Sequence, residues 1–310
     1  MNGLMTGASG SFLRRVPLIR VLHRLANPVR LFAGRLTRAP LAYARASPSV
    51  QQTLDIFKGE WAGCLPPPWH DCHAGRLPLY ADVALIAAIA RLGGVRDKQV
   101  LELGPLEGGH SYLLEKNGAA SITAIEGNPR AYLRCLVVKE TLGLSRVQFM
   151  YGDFVAFLRE HPKARYDVAI ASGVLYHMED PVELLSLLGS ACDELYLWTH
   201  YFDSESIGRL PHIAAHFGRQ ESRVRADFAH TVHPFHYSAD RLIDMFYGGP
   251  LTHANWVSRS DIIDALHHFG FVHVDVVREE PSHPHGPAFA VVARRAATPA
   301  ALAIATPSWQ

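Results

Sequence analysis

Apolar residues along this chain follow two rhythms that alternate. Pro78 to Leu92 carries them at helical spacing and stops at Gly93-Gly94, a helix terminator. Gln99 to Leu103 is a short, continuously apolar strand, followed by a glycine-bearing turn and a helix near Ser111 to Asn117. The rhythm then repeats: strand Ser121 to Ile125, helix Pro129 to Leu142, strand Val147 to Tyr151, helical turn Val155 to Glu160. Strand Tyr166 to Ala171, helix Pro181 to Cys192 and strand Leu195 to Thr199 continue it. Strands apolar on both faces and separated by helices predict a parallel sheet covered on both sides, an α/β doubly wound fold.

The pattern changes after Thr199. His200 to Trp256 reads as irregular, then a helix from Ser260 to His268 meets Gly270. Strands Phe271 to Val277 and Ala288 to Ala293 follow, with Pro281, Pro284 and Pro287 between them. No helix fits that link, so the pair predicts an antiparallel hairpin at the sheet edge and seven strands in all. The expected organisation is an N-terminal extension (1–54), a helical cap (55–98), a sheet core (99–199), a lid insertion (200–257), a closing helix and hairpin (258–295) and a disordered tail (296–310).

Charge redraws this picture at one end. The 310 residues carry 30 Lys and Arg against 29 Asp and Glu, for a net of +1. Yet Met1 to Leu54 holds eight arginines and no acid, which leaves the rest mildly acidic. Its stretch Phe12 to Leu36 places Leu, Ile and Val at helical intervals between arginines, interrupted by Pro17 and Pro28. Such a segment suits contact with a membrane surface or another polyanion, or serves as a loosely attached extension. Four scattered cysteines are no disulfide scaffold, and no run of about 20 apolar residues offers a membrane span; both fit a cytoplasmic protein. Near-zero net charge argues against nucleic acid as the main partner.

The chemistry clusters at strand ends. Glu102-Leu-Gly104-Pro105-Leu-Glu-Gly108-Gly109 follows the first core strand, where open sheets bind ligands and glycine lets the main chain approach them. Glu126 ends the second strand, 22 positions beyond Gly104, where a carboxylate accepts both hydroxyls of a ribose. To that point NAD and S-adenosylmethionine fit equally. Gly152-Asp153-Phe154 follows the third strand, with an acid for an adenine amino group and an aromatic for its ring. Ser172-Gly173-Val-Leu-Tyr176-His177 follows the fourth and runs into Asp180-Pro181, a helix N-cap with proline in the first turn.

ELGPLEGG, AIEGNP, GDF and SGVLYHMEDPVELL, in that order, resemble the cofactor motifs of class I S-adenosylmethionine-dependent methyltransferases. The resemblance covers Gln99 to Thr199 and implies a Rossmann-like fold with S-adenosylmethionine as cofactor. It implies that Glu102 anchors the first turn, that Gly104, Pro105 and Gly108 make room for the methionine arm, and that Glu126, with Gly127 and Asn128, holds the ribose. Asp153 and Phe154 would frame the adenine, and Ser172 and Gly173 would line the pocket beside the sulfonium. Family members commonly carry a glycine where this chain has Leu106, so the turn is expected to differ in shape.

GVLYH before a proline-initiated helix resembles the tRNA wobble-uridine (carboxy)methyltransferase-like group, in which the tyrosine corresponding to Tyr176 helps hold a carboxylated cofactor; no motif locates the basic partner that role needs. Trp198 to Asp203 and HPHGPAFAVV look more like biosynthetic-cluster methyltransferases of small molecules or glycans. The expected reaction is therefore methyl transfer to an oxygen or nitrogen of a small metabolite or sugar, by in-line displacement. The alternatives are a tRNA-modifying enzyme, an NAD-dependent oxidoreductase and a non-catalytic cofactor-binding subunit.

A hydroxyl acceptor benefits from a base with a near-neutral pKa, which histidine supplies. His177 and His200 leave the fourth and fifth strands and are the two candidates. The chain has 18 histidines, and His230, His233 and His236 recur every three residues, with His212 and His216 four apart. Pro234 interrupts the triplet and no acid completes a ligand spacing, so no metal site is expected. The bland reading makes 200–253 a lid whose Phe228, Phe235, Tyr237, Phe246, Tyr247 and Trp256 wall an acceptor pocket.

Overall fold

The computed structural model describes residues 43–237 and 252–296. The Phe12–Leu36 stretch with its proposed membrane contact, Phe246 and Tyr247, and the tail beyond Ala296 lie outside the described residues.

The chain enters through α1 (Val50–Asp55) and reaches α2 (Val83–Arg91). The core then alternates: β1 (Gln99–Leu103), α3 (Gly109–Lys116), β2 (Ser121–Glu126), α4 (Pro129–Leu142), β3 (Val147–Tyr151), α5 (Phe154–Glu160), β4 (Tyr166–Ser172), α6 (Pro181–Ala191) and β5 (Cys192–His200). Two short helices, α7 (Ser204–Gly208) and α8 (Pro211–Ala214), lead to β6 (Glu221–Arg225), β7 (Phe228–His236) and β8 (His253–Val257). Helix α9 (Arg259–His268) and strands β9 (Phe271–Glu280) and β10 (Ala288–Arg295) finish the fold.

Seven strands form one sheet in the order β3-β2-β1-β4-β5-β10-β9. The first five run parallel, and β10 is antiparallel to both its neighbours. The hairpin thus inserts its second strand beside β5 and leaves β9 at the edge. Burial explains the apolar runs: Val168 to Ala171 in β4 are fully buried because helices cover both faces. One core layer joins α1, α2, α3 and α4 to the sheet, and a second joins α6 and α9 to its other face. Local signals set the helix ends. Asn128 Oδ1 caps α4 by accepting the Arg130 and Ala131 amides, and Asp180 Oδ1 caps α6 by accepting the Glu183 amide at 2.9 Å.

Three expectations need correction. Residue 54 is no extension: Leu54 is fully buried, so the compact body begins before the expected boundary at 55. The cap is only partly helical, because 56–78 is irregular chain held by main-chain bonds such as Arg76 and Leu77 N–H to the Ala62 carbonyl. And the described residues between His200 and Trp256 are not irregular. β6, β7 and β8 make a separate antiparallel sheet, whose inward Val232 and Val257 join the second core layer. Its histidines and Pro234 obscure the alternation that would reveal a strand.

Candidate active site

Strand order reverses between β1 and β4, and loops leaving the carboxyl ends of the strands there diverge to form a crevice. The turn after β1 is held open by its main chain. Gly104 has φ 65° and Gly108 φ 75°; a Cβ on Gly104 would lie 2.8 Å from Val174 Cγ1. Leu106, where a glycine was expected, adopts φ 57° itself. Its amide explains how a leucine is kept there: Leu106 N–H donates to Glu126 Oε2 at 3.0 Å, while Oε1 accepts the Asn128 amide at 2.8 Å. Each Glu126 oxygen retains a second lone pair for a ribose hydroxyl. Burial holds the Glu126 carboxyl above its ordinary pKa, with those amides pulling the other way.

Glu102 and Glu107 sit deeper. Ser111 Oγ donates to Glu102 Oε2, which ties α3 to β1, and Glu102 does not line the crevice. Its anchoring role therefore acts through α3. Glu107, which the sequence reading left out, is fully buried. Its two oxygens accept the Ala62 and Gly63 amides at 2.8 and 3.0 Å, Arg134 Nε lies 3.3 Å away, and its carbonyl accepts Tyr80 Oη–H at 3.0 Å. The irregular cap is stapled to the cofactor turn through this one side chain. No motif marks it, because only the fold brings residues 44 and 45 positions apart together.

A cavity of about 330 Å³ opens at this point. Gly104, Pro105 and Leu106 form one wall, Ser172 and Gly173 its middle, and Trp198, Arg278, Glu280 and His283 the far wall, with Asp82 and His110 at the cap. A Cβ on Gly173 would lie 3.7 Å from the Trp198 ring and 3.9 Å from Tyr176 Oη. His110 Nε2 lies 3.0 Å from Asp82 Oδ2, and this bond holds the Asp82 carboxyl down at about 2. Asp82, His110, Arg278, Glu280 and His283 escaped the sequence reading. Arg278 and Glu280 close β9, and His283, which opens the HPHGPAFAVV run, stands in the turn that follows.

The adenine candidates are less enclosed. Asp153 is exposed and caps α5, its Oδ1 accepting the Val155 and Ala156 amides at 2.7 and 3.3 Å. Phe154 packs partly against the second core layer. Gly127 and Gly152 face one another with room between: nothing lies within 4 Å of a Cβ on Gly152.

The catalytic candidates form one aromatic cluster. Tyr176 touches the His177, Trp198, His200 and Trp256 rings, with centroids 4.1 to 6.2 Å away, and burial pushes its hydroxyl up to about 12. His177 Nδ1 lies 3.0 Å from Tyr237 Oη, and desolvation, then His200, lowers its pKa to about 3. His200 is 5% exposed, stacks on Trp256 at 5.3 Å, and is lowered to about 4 by desolvation, then by His283. A carbonyl only accepts, so the 2.9 Å contact from His200 Nδ1 to the Gly286 oxygen fixes the proton on Nδ1. Nε2 then presents its lone pair.

Of the expected lid walls among the described residues, Trp256 and Tyr237 reach this cluster, and Phe235 and Phe228 do not. Phe235 and Trp256 stack on each other at 5.2 Å inside a small core, and Phe228 packs on His268 and Phe269. Among the described residues the histidine triplet also separates. Three-residue spacing on a strand alternates faces, so His233, buried against Phe202 at 3.5 Å, points away from His230, which is also buried, and from His236, which is exposed. Among the described residues, no three His, Cys, Asp or Glu side chains converge as a metal site.

No curated protein matches this sequence. Among solved structures, the N-terminal domain of EvdMO1 crystallised with S-adenosylhomocysteine and D-fucose is similar at 22% identity, covering 80% of this chain and 96% of that one, with TM-score 0.62. The same domain with S-adenosylhomocysteine bound gives 22% and 0.61 at the same coverage. These likenesses show the fold. A family model described as a methyltransferase domain matches residues 79–276, which spans β1 to β5 and the loops that follow β1 to β4. The chain belongs to that family, the class I S-adenosylmethionine-dependent methyltransferases, and S-adenosylmethionine is its cofactor.

Proposed function

We propose that this enzyme methylates an oxygen or nitrogen of a small metabolite or sugar, with His200 as the proton acceptor. One observation carries the reading: His200 is fixed by the Gly286 carbonyl in the tautomer that leaves Nε2 free to accept, and desolvation keeps the ring neutral. Bound S-adenosylmethionine supplies a methyl group already activated by its sulfonium. What remains for the chain is placement, water exclusion and the acceptor's proton.

Gly104, Leu106 and Gly173 leave room for the methionine arm, and Glu126 and Asp153 offer carboxylate oxygens to ribose and adenine. Ser172 and Gly173 lie between that arm and the Trp198 wall, so an acceptor seated against Trp198 faces the methyl group. His177 is the weaker base, because its Nδ1 partner Tyr237 is a hydroxyl that donates as readily as it accepts and fixes no tautomer. Tyr176 packs the two imidazoles apart. The EvdMO1 domain, crystallised with D-fucose, makes a sugar a reasonable first acceptor to try.

Calorimetric titration with S-adenosylhomocysteine and NAD, followed by transfer of labelled methyl to a panel of sugars, phenols and amines, tests this. Binding of S-adenosylhomocysteine alone and transfer to at least one small acceptor is expected. Transfer to tRNA alone, or tight cofactor binding with no transfer to anything, would overturn it.

A further inference from the structure

The far wall of the cavity has an internal order that methyl transfer alone does not require. Glu280 ends β9; Oε1 accepts Arg278 Nη2–H at 2.8 Å and Oε2 lies 3.4 Å from Trp198 Nε1. Three residues on, His283 stands in a turn closed by its own amide on the Glu280 carbonyl at 3.2 Å and by the Gly286 amide on the His283 carbonyl at 3.1 Å. His283 Nδ1 accepts the His285 amide at 3.2 Å, so the neutral ring carries its proton on Nε2. Its ring centroid is 4.9 Å from that of His200, whose tautomer is the opposite one. The turn is braced from behind, with Gly286 against Trp256 and His212 Nε2 donating to the Pro284 carbonyl.

The end of β9 and its turn therefore present a carboxylate and an N–H donor, and β5 an indole, to the same space. Among the described lining residues the cavity carries two carboxylates, Glu280 on this wall and Asp82 at the cap, against one guanidinium; Arg278 is paired with Glu280, and Asp82 with His110. Among the described residues of this wall, no second cation relieves the repulsion an anionic acceptor would meet.

We propose that Glu280 and His283, steadied by Arg278 and Trp198, form the acceptor subsite for an uncharged polyhydroxylated ring, the carboxylate accepting from one hydroxyl and Nε2–H donating to its neighbour. This rests on the methyl-transfer reading above and names the acceptor class for it. The wall selects against an acceptor that carries a carboxylate where a neutral one carries a hydroxymethyl group.

Saturation-transfer NMR on the full chain saturated with S-adenosylhomocysteine tests the subsite, with D-fucose, D-galactose and D-galacturonate as probes. The two neutral sugars should bind, and D-galacturonate at least tenfold more weakly than D-galactose. Glu280→Gln should weaken neutral-sugar binding about tenfold and shrink the discrimination against galacturonate. His283→Leu should weaken it severalfold and His283→Asn, which keeps an N–H donor, should restore most of the loss. S-adenosylhomocysteine affinity should stay within twofold in all three variants, which shows that they fold. Equal binding of galactose and galacturonate, unchanged sugar binding by Glu280→Gln, or no sugar binding to the cofactor-product complex would each overturn the subsite. In that last case, transfer of labelled methyl to catechol would leave the methyl-transfer reading standing, whereas no transfer to any acceptor would remove both.

Discussion

The two halves of the cavity are built from different materials. On the cofactor side, main chain does most of the work: Gly104, Leu106 and Gly108 in left-handed conformations, and the Leu106 and Asn128 amides gathered by Glu126. On the acceptor side the contacts are side chains from distant segments, with Asp82 and His110 at the cap, Trp198 on β5, and Glu280 and His283 at the hairpin, and His200 packs behind Trp198 and His283. Main-chain geometry at a strand end is fixed by the fold and suits a ligand that never changes. Side chains gathered from separate elements exchange one at a time, which suits an acceptor that varies between relatives.

The contrast breaks if a change in one half disturbs the other. The largest effect expected is on turnover: His200→Ala should lower kcat by roughly 10²-fold or more toward a hydroxyl acceptor. Since the His200 pKa is lowered to about 4, the competent neutral form persists as pH falls below the range where a free imidazole protonates. Wild-type rate should thus hold from pH 7 to about 5.5 and fall only toward 4; a loss centred near 6.5 would assign the base elsewhere. Next, Glu126→Ala removes an acceptor that two amides share and that the proposed reading also gives to the ribose, worth about 3 kcal/mol, or roughly 100-fold in S-adenosylhomocysteine affinity by calorimetry. Wild-type affinity would mean the ribose lies elsewhere.

Glu107→Ala sharpens the comparison, because Glu107 touches no cavity wall and acts only through the cap. Leaving the Ala62 and Gly63 amides without an acceptor should cost about 2 kcal/mol of stability and roughly tenfold in the cofactor KM, with kcat little changed. A kcat loss without a KM change would place Glu107 on the acceptor side. The smallest effect belongs to Asp153→Ala. Losing the α5 cap costs about 1 kcal/mol, and cofactor affinity should fall only a few-fold, since the side chain is exposed.

Legibility in the sequence follows the same division. The strands and the helices of the core were readable because burial on both faces leaves continuous apolar runs, and Asp180-Pro181 announced its own helix. Glu126, Gly104 and Gly173 can be placed at strand ends from the sequence alone, because each follows or ends a continuous apolar run. Glu107, Asp82 and Glu280 were not, since an isolated acid shows its role only when the fold supplies its partners. The β6–β8 sheet was missed because His230, His233 and Pro234 blurred its alternation. Leu106 shows the limit in the other direction: a missing glycine suggested a different turn, yet leucine takes up the left-handed conformation with its amide held by Glu126.

The separation of the two halves is tested most directly by a double-mutant cycle in kcat/KM for S-adenosylmethionine, comparing Glu126→Ala, His200→Ala and the double variant on one acceptor. Independent halves predict losses that multiply, with a coupling free energy within about 0.5 kcal/mol. Coupling above about 1 kcal/mol would contradict the account, because it would mean that the cofactor carboxylate and the acceptor base act as one unit.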